Sequence, residues 1–359
     1  MTRAAAASAR LAVAAALALG CLTISAAPAL AAGSRTAARV GTGAPAADRV
    51  GTGALAADRV AANLPADGRI AFTDFTTNQL YTVNPDGTGL VQLTHEPAGI
   101  AARWPSWSRD GSRILFVRWK PSNGAGRIWI MNANGTGQQQ LTPDAAGFRD
   151  YQPSYTPDGK RIVFTRCAPN DGLCAIWIMR ADGTHRRLLV PSSTTPTETN
   201  NFDAAASPDG HHISFTRFGF HGITSQVWVA DINGKHAHPV TAARLEAFGA
   251  SWSPDASHIA FASNSNRAQS SIYVMRANGT GVRLLAASPW PHNNLFAAYA
   301  PSGDQIAFSS DRRHRDLRGL NLFAMRADGA RQHPIVTGPK GVIDVSWGPA
   351  PSGTPRTRG

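Results

Sequence analysis

The chain has 359 residues, 43% of them hydrophobic and 16% charged, with a formal net charge of +12. No apolar run reaches the roughly 20 residues of a membrane-spanning helix. The basic excess fits acidic partners such as anionic polymers or phosphate, and it fits equally a generally arginine-rich exported protein.

At the N-terminus, Arg3 and Arg10 precede an apolar stretch from Leu11 to Leu19, and "APALAAG" places small residues before a cleavage point after Ala31 or Ala32. This is the pattern of a secretory signal peptide over residues 1–32, and it implies a secreted, periplasmic or cell-envelope protein. The "ALGC" ending at Cys21 resembles a lipoprotein box with Leu and Ala exchanged, and the later cleavage site is the better one. Residues 33–66 repeat a decapeptide, "RVGTGAPAAD" and then "RVGTGALAAD". So few large apolar groups cannot offset the entropy of ordering, which makes this a flexible tether.

From residue 67 a period takes over. Turns "NPDGTG", "NANGTG", "RADGTH", "DINGKH", "RANGTG" and "RADGAR" carry Gly87, Gly135, Gly183, Gly234, Gly279 and Gly329, spaced by 48, 48, 51, 45 and 50 residues. A second series keeps step: "SRDG", "TPDG", "SPDG", "SPDA" and a degenerate "PSGD". Between the landmarks lie short runs such as "RIVF", "HIAF", "RIWIM" and "SIYVM", whose β-branched and aromatic residues predict strands. Asp-Gly and Asn-Gly supply the positive φ of tight hairpins. Four strands in each of six copies predict an all-β, six-bladed β-propeller over residues 67–352. The first copy lacks its opening strand, and "VIDVSWGP" near the C-terminus supplies it, so a C-terminal strand closes the first blade and leaves a basic tail at residues 353–359.

The consensus W-S-P-D-G-x-x-I-A-F followed by I-Y-V-M-x-A-D-G resembles the WD-like repeat of the TolB propeller family. The resemblance implies the fold and leaves function open, because such repeats also occur in propellers attached to peptidases and in stand-alone secreted proteins.

Recurring Trp107, Tyr155, Trp252, Tyr299 and Trp347 read as wedges between blades. Cys167 and Cys174 bracket a hairpin loop and are expected to form a disulfide, with no further metal ligand beside them. The loops after the second strands do not repeat, and loops on a rigid scaffold are where binding resides. They gather Arg118, Trp119, Lys120, Arg127, Arg166, Arg217, Phe218, Phe220, Arg267, Arg312, Arg313, Arg315 and Arg318, with Trp290 on a neighbouring crossing. This predicts a basic, partly aromatic face for a protein or an anionic envelope polymer, nucleic acid being disfavoured by export. A monomer is expected.

An alternative places function at the mouth of the central channel. There Asp150, Gln152, Asn201, Asp203, Asn294 and Asp344 begin the innermost strands, opposite Ala102, Ala247 and Val342 at equivalent places. Such groups suit a hydrolase or lyase, or a sensor holding Ca²⁺, the one cofactor the set brings to mind. No G-x-S-x-G, H-E-x-x-H or P-loop motif is present, so the first expectation is a non-catalytic binding module.

Overall fold

The computed structural model describes residues 67–350 except 121, 145–146, 170–172, 194–198, 220–223, 266–268, 288–291, 314–318 and 338–340. The signal-peptide, tether and tail expectations therefore lie outside the described residues. Among those described, no helix is long and apolar enough to cross a membrane.

Six four-stranded antiparallel sheets form the six blades. The innermost strands, in order around the ring, are Val342–Pro349, Ala101–Trp107, Arg149–Tyr155, Asn200–Ala206, Ala247–Trp252 and Asn294–Tyr299. Blade one combines the C-terminal strand Val342–Pro349 with Asp67–Asp74, Gln79–Val83 and Val91–Gln92, as the incomplete first repeat predicts. Ile70 pairs with Trp347 and Asp74 with Val342. The Trp347 indole donates to the Gly68 carbonyl at 3.2 Å.

The core is a ladder repeated in each blade. Phe72, Phe116, Phe164, Phe215, Phe261 and Phe308 on the second strands are fully buried. Five of them meet an aromatic ring of the third strand, Tyr81, Trp129, Trp228, Tyr273 and Phe323, at centroid distances of 5.8–6.4 Å. Cross-strand aromatic pairs of this kind add about 0.5–1.5 kcal/mol each beyond burial.

The periodic glycine has two causes. Gly183 sits at φ +83°, which side chains disfavour, and a Cβ there would lie 2.4 Å from the Leu141 carbonyl oxygen of the preceding blade. The equivalent glycines face the equivalent carbonyls, so the 48-residue rhythm of Gly is also a contact between blades. The other turn series is closed by side chains. The Ser108 hydroxyl donates to Asp110 at 2.6 Å and the Ser112 amide at 3.0 Å, and these bonds hold the Asp110 carboxyl below its ordinary range. Cys167 and Cys174, paired across neighbouring strands, form the expected disulfide.

Candidate functional site

On the loop face, the end of each second strand meets the start of the innermost strand, and there the two predicted residue sets meet each other. Arg166 is bidentate to Asp150, Nε at 2.6 Å and Nη2 at 2.9 Å, and its guanidinium lies 5.2 Å from the Trp177 ring. Arg217 donates from Nε to Asn201 at 2.9 Å and lies 4.1 Å over Trp228. Arg312 donates to Asn294 at 3.2 Å and lies 4.6 Å over Phe323. In blade two, where Ala102 offers no acceptor, Arg118 lies 4.1 Å over Trp129 and binds Glu96 at 2.7 and 2.8 Å. Asp150, Asn201 and Asn294 are thus fully buried anchors within the sheets.

The remaining members of the basic set divide by exposure. Trp119 and Phe218 are buried, packed edge-on against Trp104 and Phe202. Arg127 bonds Asp144 at 3.1 Å and the Phe148 carbonyl at 2.6 Å. Lys120 and Arg313 are exposed. Arg267, Arg315, Arg318, Phe220 and Trp290 lie outside the described residues.

Deeper along the axis, all six innermost strands wall a cavity of about 200 Å³. Each strand carries a register shift there, and each shift holds one residue in the left-handed region. Around the ring these are Asp344 (φ 55°), Trp104 (52°), Gln152 (50°), Asp203 (54°), Gly249 (64°) and Phe296 (53°). Left-handed backbone costs a non-glycine residue about 1–2 kcal/mol, so the strand ladders hold five strained residues around the channel. Bulges of this kind re-aim side chains, and all six residues line the cavity.

Polar contacts tie this ring from blade to blade. Asp344 takes Arg103 Nε at 2.6 Å, Thr73 at 3.1 Å and the Trp104 amide at 3.3 Å. Arg103 is 1% exposed, lies 4.6 Å from the Trp104 ring, and joins blade two to the closing strand of blade one. Gln152 donates its amide to Asp203, accepts the Asp203 backbone N–H at 3.1 Å and accepts the Thr165 hydroxyl at 3.2 Å. Thr216 donates to Asp203 at 3.3 Å. Burial pushes the Asp203 carboxyl up to about 7, against the pull of the Thr216 hydrogen bond and with a further push from the charge on Asp344.

Of the six residues placed at the channel mouth from sequence, Gln152, Asp203 and Asp344 reach the cavity, and Asp150, Asn201 and Asn294 do not line it. Among the described residues, no three His, Cys, Asp or Glu side chains gather as a metal site. Trp104, Gly249 and Phe296 were missed. Their signal was position: each stands three residues before the recurring Trp107, Trp252 and Tyr299, as Gln152 and Asp344 do before Tyr155 and Trp347.

A second cavity, about 220 Å³, follows along the same strands at their turn ends. Trp107, Tyr155, Trp252, Tyr299 and Trp347 line it, together with Arg109. The wedge role holds for Trp107, whose ring would lie 2.4 Å from a Cβ at Gly348 of blade one. Burial raises the hydroxyls of Tyr155 and Tyr299 to about 12.

Residues 174–350 match the TolB beta propeller domain family. No curated protein sequence matches the chain significantly. Among solved structures, TolB from Acinetobacter baumannii aligns with a TM-score of 0.64 at 19% identity, over 82% of this chain and 70% of that one. A putative TolB from Agrobacterium tumefaciens gives 0.57 at 20% identity, over 79% and 99%. Hydrazine synthase of Kuenenia stuttgartiensis gives 0.63 at 13% identity over 82% of this chain and 48% of that one. Likeness at such identities carries the fold alone. With six closed blades and the family match over its second half, the chain is a TolB-like six-bladed β-propeller.

Proposed function

We propose that this chain is a non-catalytic, secreted binding propeller whose loop face docks a protein or an anionic envelope polymer. The observation that carries this reading is the fixing of Arg118, Arg217 and Arg312 on aromatic rings at the loop face. A guanidinium held in place loses little side-chain entropy when an anionic group arrives, and its planar fork suits carboxylate and phosphate. The Arg118 side chain keeps 34% of its surface exposed, and Lys120 and Arg313 add exposed cations at the ends of the same loops. Export rests on the N-terminal signal pattern, and TolB-like propellers as a class suit protein-binding scaffolds.

An enzymatic channel would need Asp150, Asp203 and Asp344 as acid, base or metal ligands. Asp150 is engaged by Arg166 and Asp344 by Arg103, so Asp203 alone keeps a carboxyl at the cavity without a cationic partner among the described residues. That arrangement favours binding over hydrolysis or elimination.

The test is retention of the purified propeller on polyglutamate beads and on cell-envelope fractions, with the double variant Lys120→Glu/Arg313→Glu beside the wild type. Two reversed rim charges should weaken retention roughly tenfold and flatten its salt dependence. Equal retention of both proteins on every matrix would sink the loop-face reading.

A further inference from the structure

The channel cavity combines an uncompensated carboxyl, an apolar wall and an open gap on three consecutive blades. Asp203 of blade four receives only neutral donors, the Gln152 amide and the Thr216 hydroxyl, and no ion pair joins it among the described residues. The other carboxylate at the ring, Asp344, is already neutralised by Arg103. In blade five, Gly249 leaves open space: a Cβ there would meet nothing within 4 Å. Phe248, Leu295 and Phe296 line the cavity beside that gap.

We propose that this cavity is a binding site for small organic ammonium ions, with Asp203 holding the charged head and Phe248, Leu295 and Phe296 receiving the carbon chain. The proposal stands whether or not the loop face docks a macromolecule. Size agrees: a buried apolar cavity of about 150 Å³ suffices for benzene, so about 200 Å³ admits a chain of four to six carbons with its amine. Charge selects the class. A carboxylate in a mostly apolar cavity rejects anions, gains little from alcohols, and recovers Coulomb energy from a cation that brings its own protons for hydrogen bonds. An aromatic wall adds attraction for the same cation. The chain itself carries a large positive charge, which makes an acidic site facing aromatic rings a local reversal rather than part of a general field.

The raised titration of Asp203 fits a carboxyl waiting for a counter-ion, and it dictates how binding depends on pH. The charged group acting on it from another blade is Asp344, which is itself paired with Arg103. With the carboxyl titrating at about 7, its ionised fraction rises about tenfold between pH 6 and pH 8, and ammonium affinity should rise about tenfold with it.

The experiment titrates the intact propeller with n-butylammonium, n-butanol and butyrate, followed by calorimetry and by indole fluorescence, which Trp104 at the ring should report. Saturable butylammonium binding on the order of millimolar is expected, at least about tenfold tighter than butanol at pH 8, with butyrate excluded. Asp203→Asn should abolish the preference for the cation. Gly249→Phe puts into blade five the residue that blade six carries at that ring position, and it should exclude all three probes while leaving every charge in place. Should Asp203→Asn fold poorly, Gly249→Phe and the wild-type pH dependence decide the matter. Butanol binding as well as butylammonium, no saturable binding of either, or an affinity unchanged between pH 6 and pH 8 each overturns the proposal.

Discussion

The turn end of the propeller and the ring at its channel are each built from six equivalent positions, and they use equivalence in opposite ways. At the turns, five glycines besides Gly183 repeat its contact with a neighbouring carbonyl, and Asp or Asn caps recur with the same hydrogen bonds. At the ring the backbone repeats, with φ between 50° and 64° in every blade, while the side chains run Asp, Trp, Gln, Asp, Gly and Phe. Uniform residues are those whose identity the backbone dictates. Where the backbone is uniform and strained but the residues differ, side chains are set by what they must do across the channel. The ring residues divide in turn into those that fasten blades and those that leave a cavity.

The sharpest way to break that division is Asp344→Ala. It strands Arg103, which is 1% exposed, without its carboxylate at the seam where the C-terminal strand closes the ring. Removing one partner of a buried ion pair costs about 3–5 kcal/mol, and chemical denaturation should show a loss of that size. The double variant Arg103→Met/Asp344→Leu, which removes both charges, should recover much of it. If Asp344→Ala unfolds at the wild-type denaturant concentration, Asp344 is no fastener and the ring is divided wrongly.

Glycine gives the next comparison. Gly183 and Gly249 share positive φ, yet a Cβ at Gly183 lies 2.4 Å from a backbone oxygen and one at Gly249 meets nothing within 4 Å. Gly183→Ala should therefore cost about 3 kcal/mol, conformational strain plus overlap, and Gly249→Ala only about 1 kcal/mol. Matching thermal unfolding curves for the two variants would refute the claim that the turn glycines serve as contacts between blades.

The same contrast explains how much was legible in the sequence. The fold was readable because its determinants are local and repeated: the Gly period, the S-P-D-G turns, and the missing first strand supplied by Val342–Pro349. The site was harder because its residues act through neighbours distant in sequence. Arg103 meets Asp344 across 241 residues, and Gln152 meets Asp203 in the next blade across 51. Repetition itself carried an unread clue at the loop face. Trp129, Trp177 and Trp228 each stand eleven residues after Arg118, Arg166 and Arg217, an offset that places every arginine on the neighbouring strand's indole. The constant offset marks a repeated stack that holds each guanidinium in place at the loop face. The register shifts left only a trace of position, three residues before the recurring aromatic, since left-handed Trp, Gln, Asp and Phe look like ordinary strand residues in a one-dimensional pattern.

The smallest effect tests the turn end of the molecule at one of the places where a residue departs from its glycine siblings. In the S-P-D-G series Gly111, Gly159 and Gly210 adopt φ of 69°, 67° and 77°, and blade five has Ala256 there at φ 59°. The turn closes nevertheless: the Ala256 amide donates to the Ser253 carbonyl at 2.8 Å, and Asp255 is capped by the Ser253 hydroxyl at 2.6 Å and the Ser257 amide at 3.0 Å. Ala256 therefore holds a left-handed conformation that its Cβ opposes by about 1–2 kcal/mol, maintained by the same hydrogen bonds as its siblings. Ala256→Gly removes that opposition but gives the unfolded chain more freedom to lose, so the net gain should be about 0.5–1 kcal/mol. In a domain of this size that raises the Tm by about 1–2 °C. A Tm that falls instead would mean that the Ala256 methyl makes a packing contact outweighing its backbone strain, and that the turn end is less uniform than its hydrogen bonds suggest.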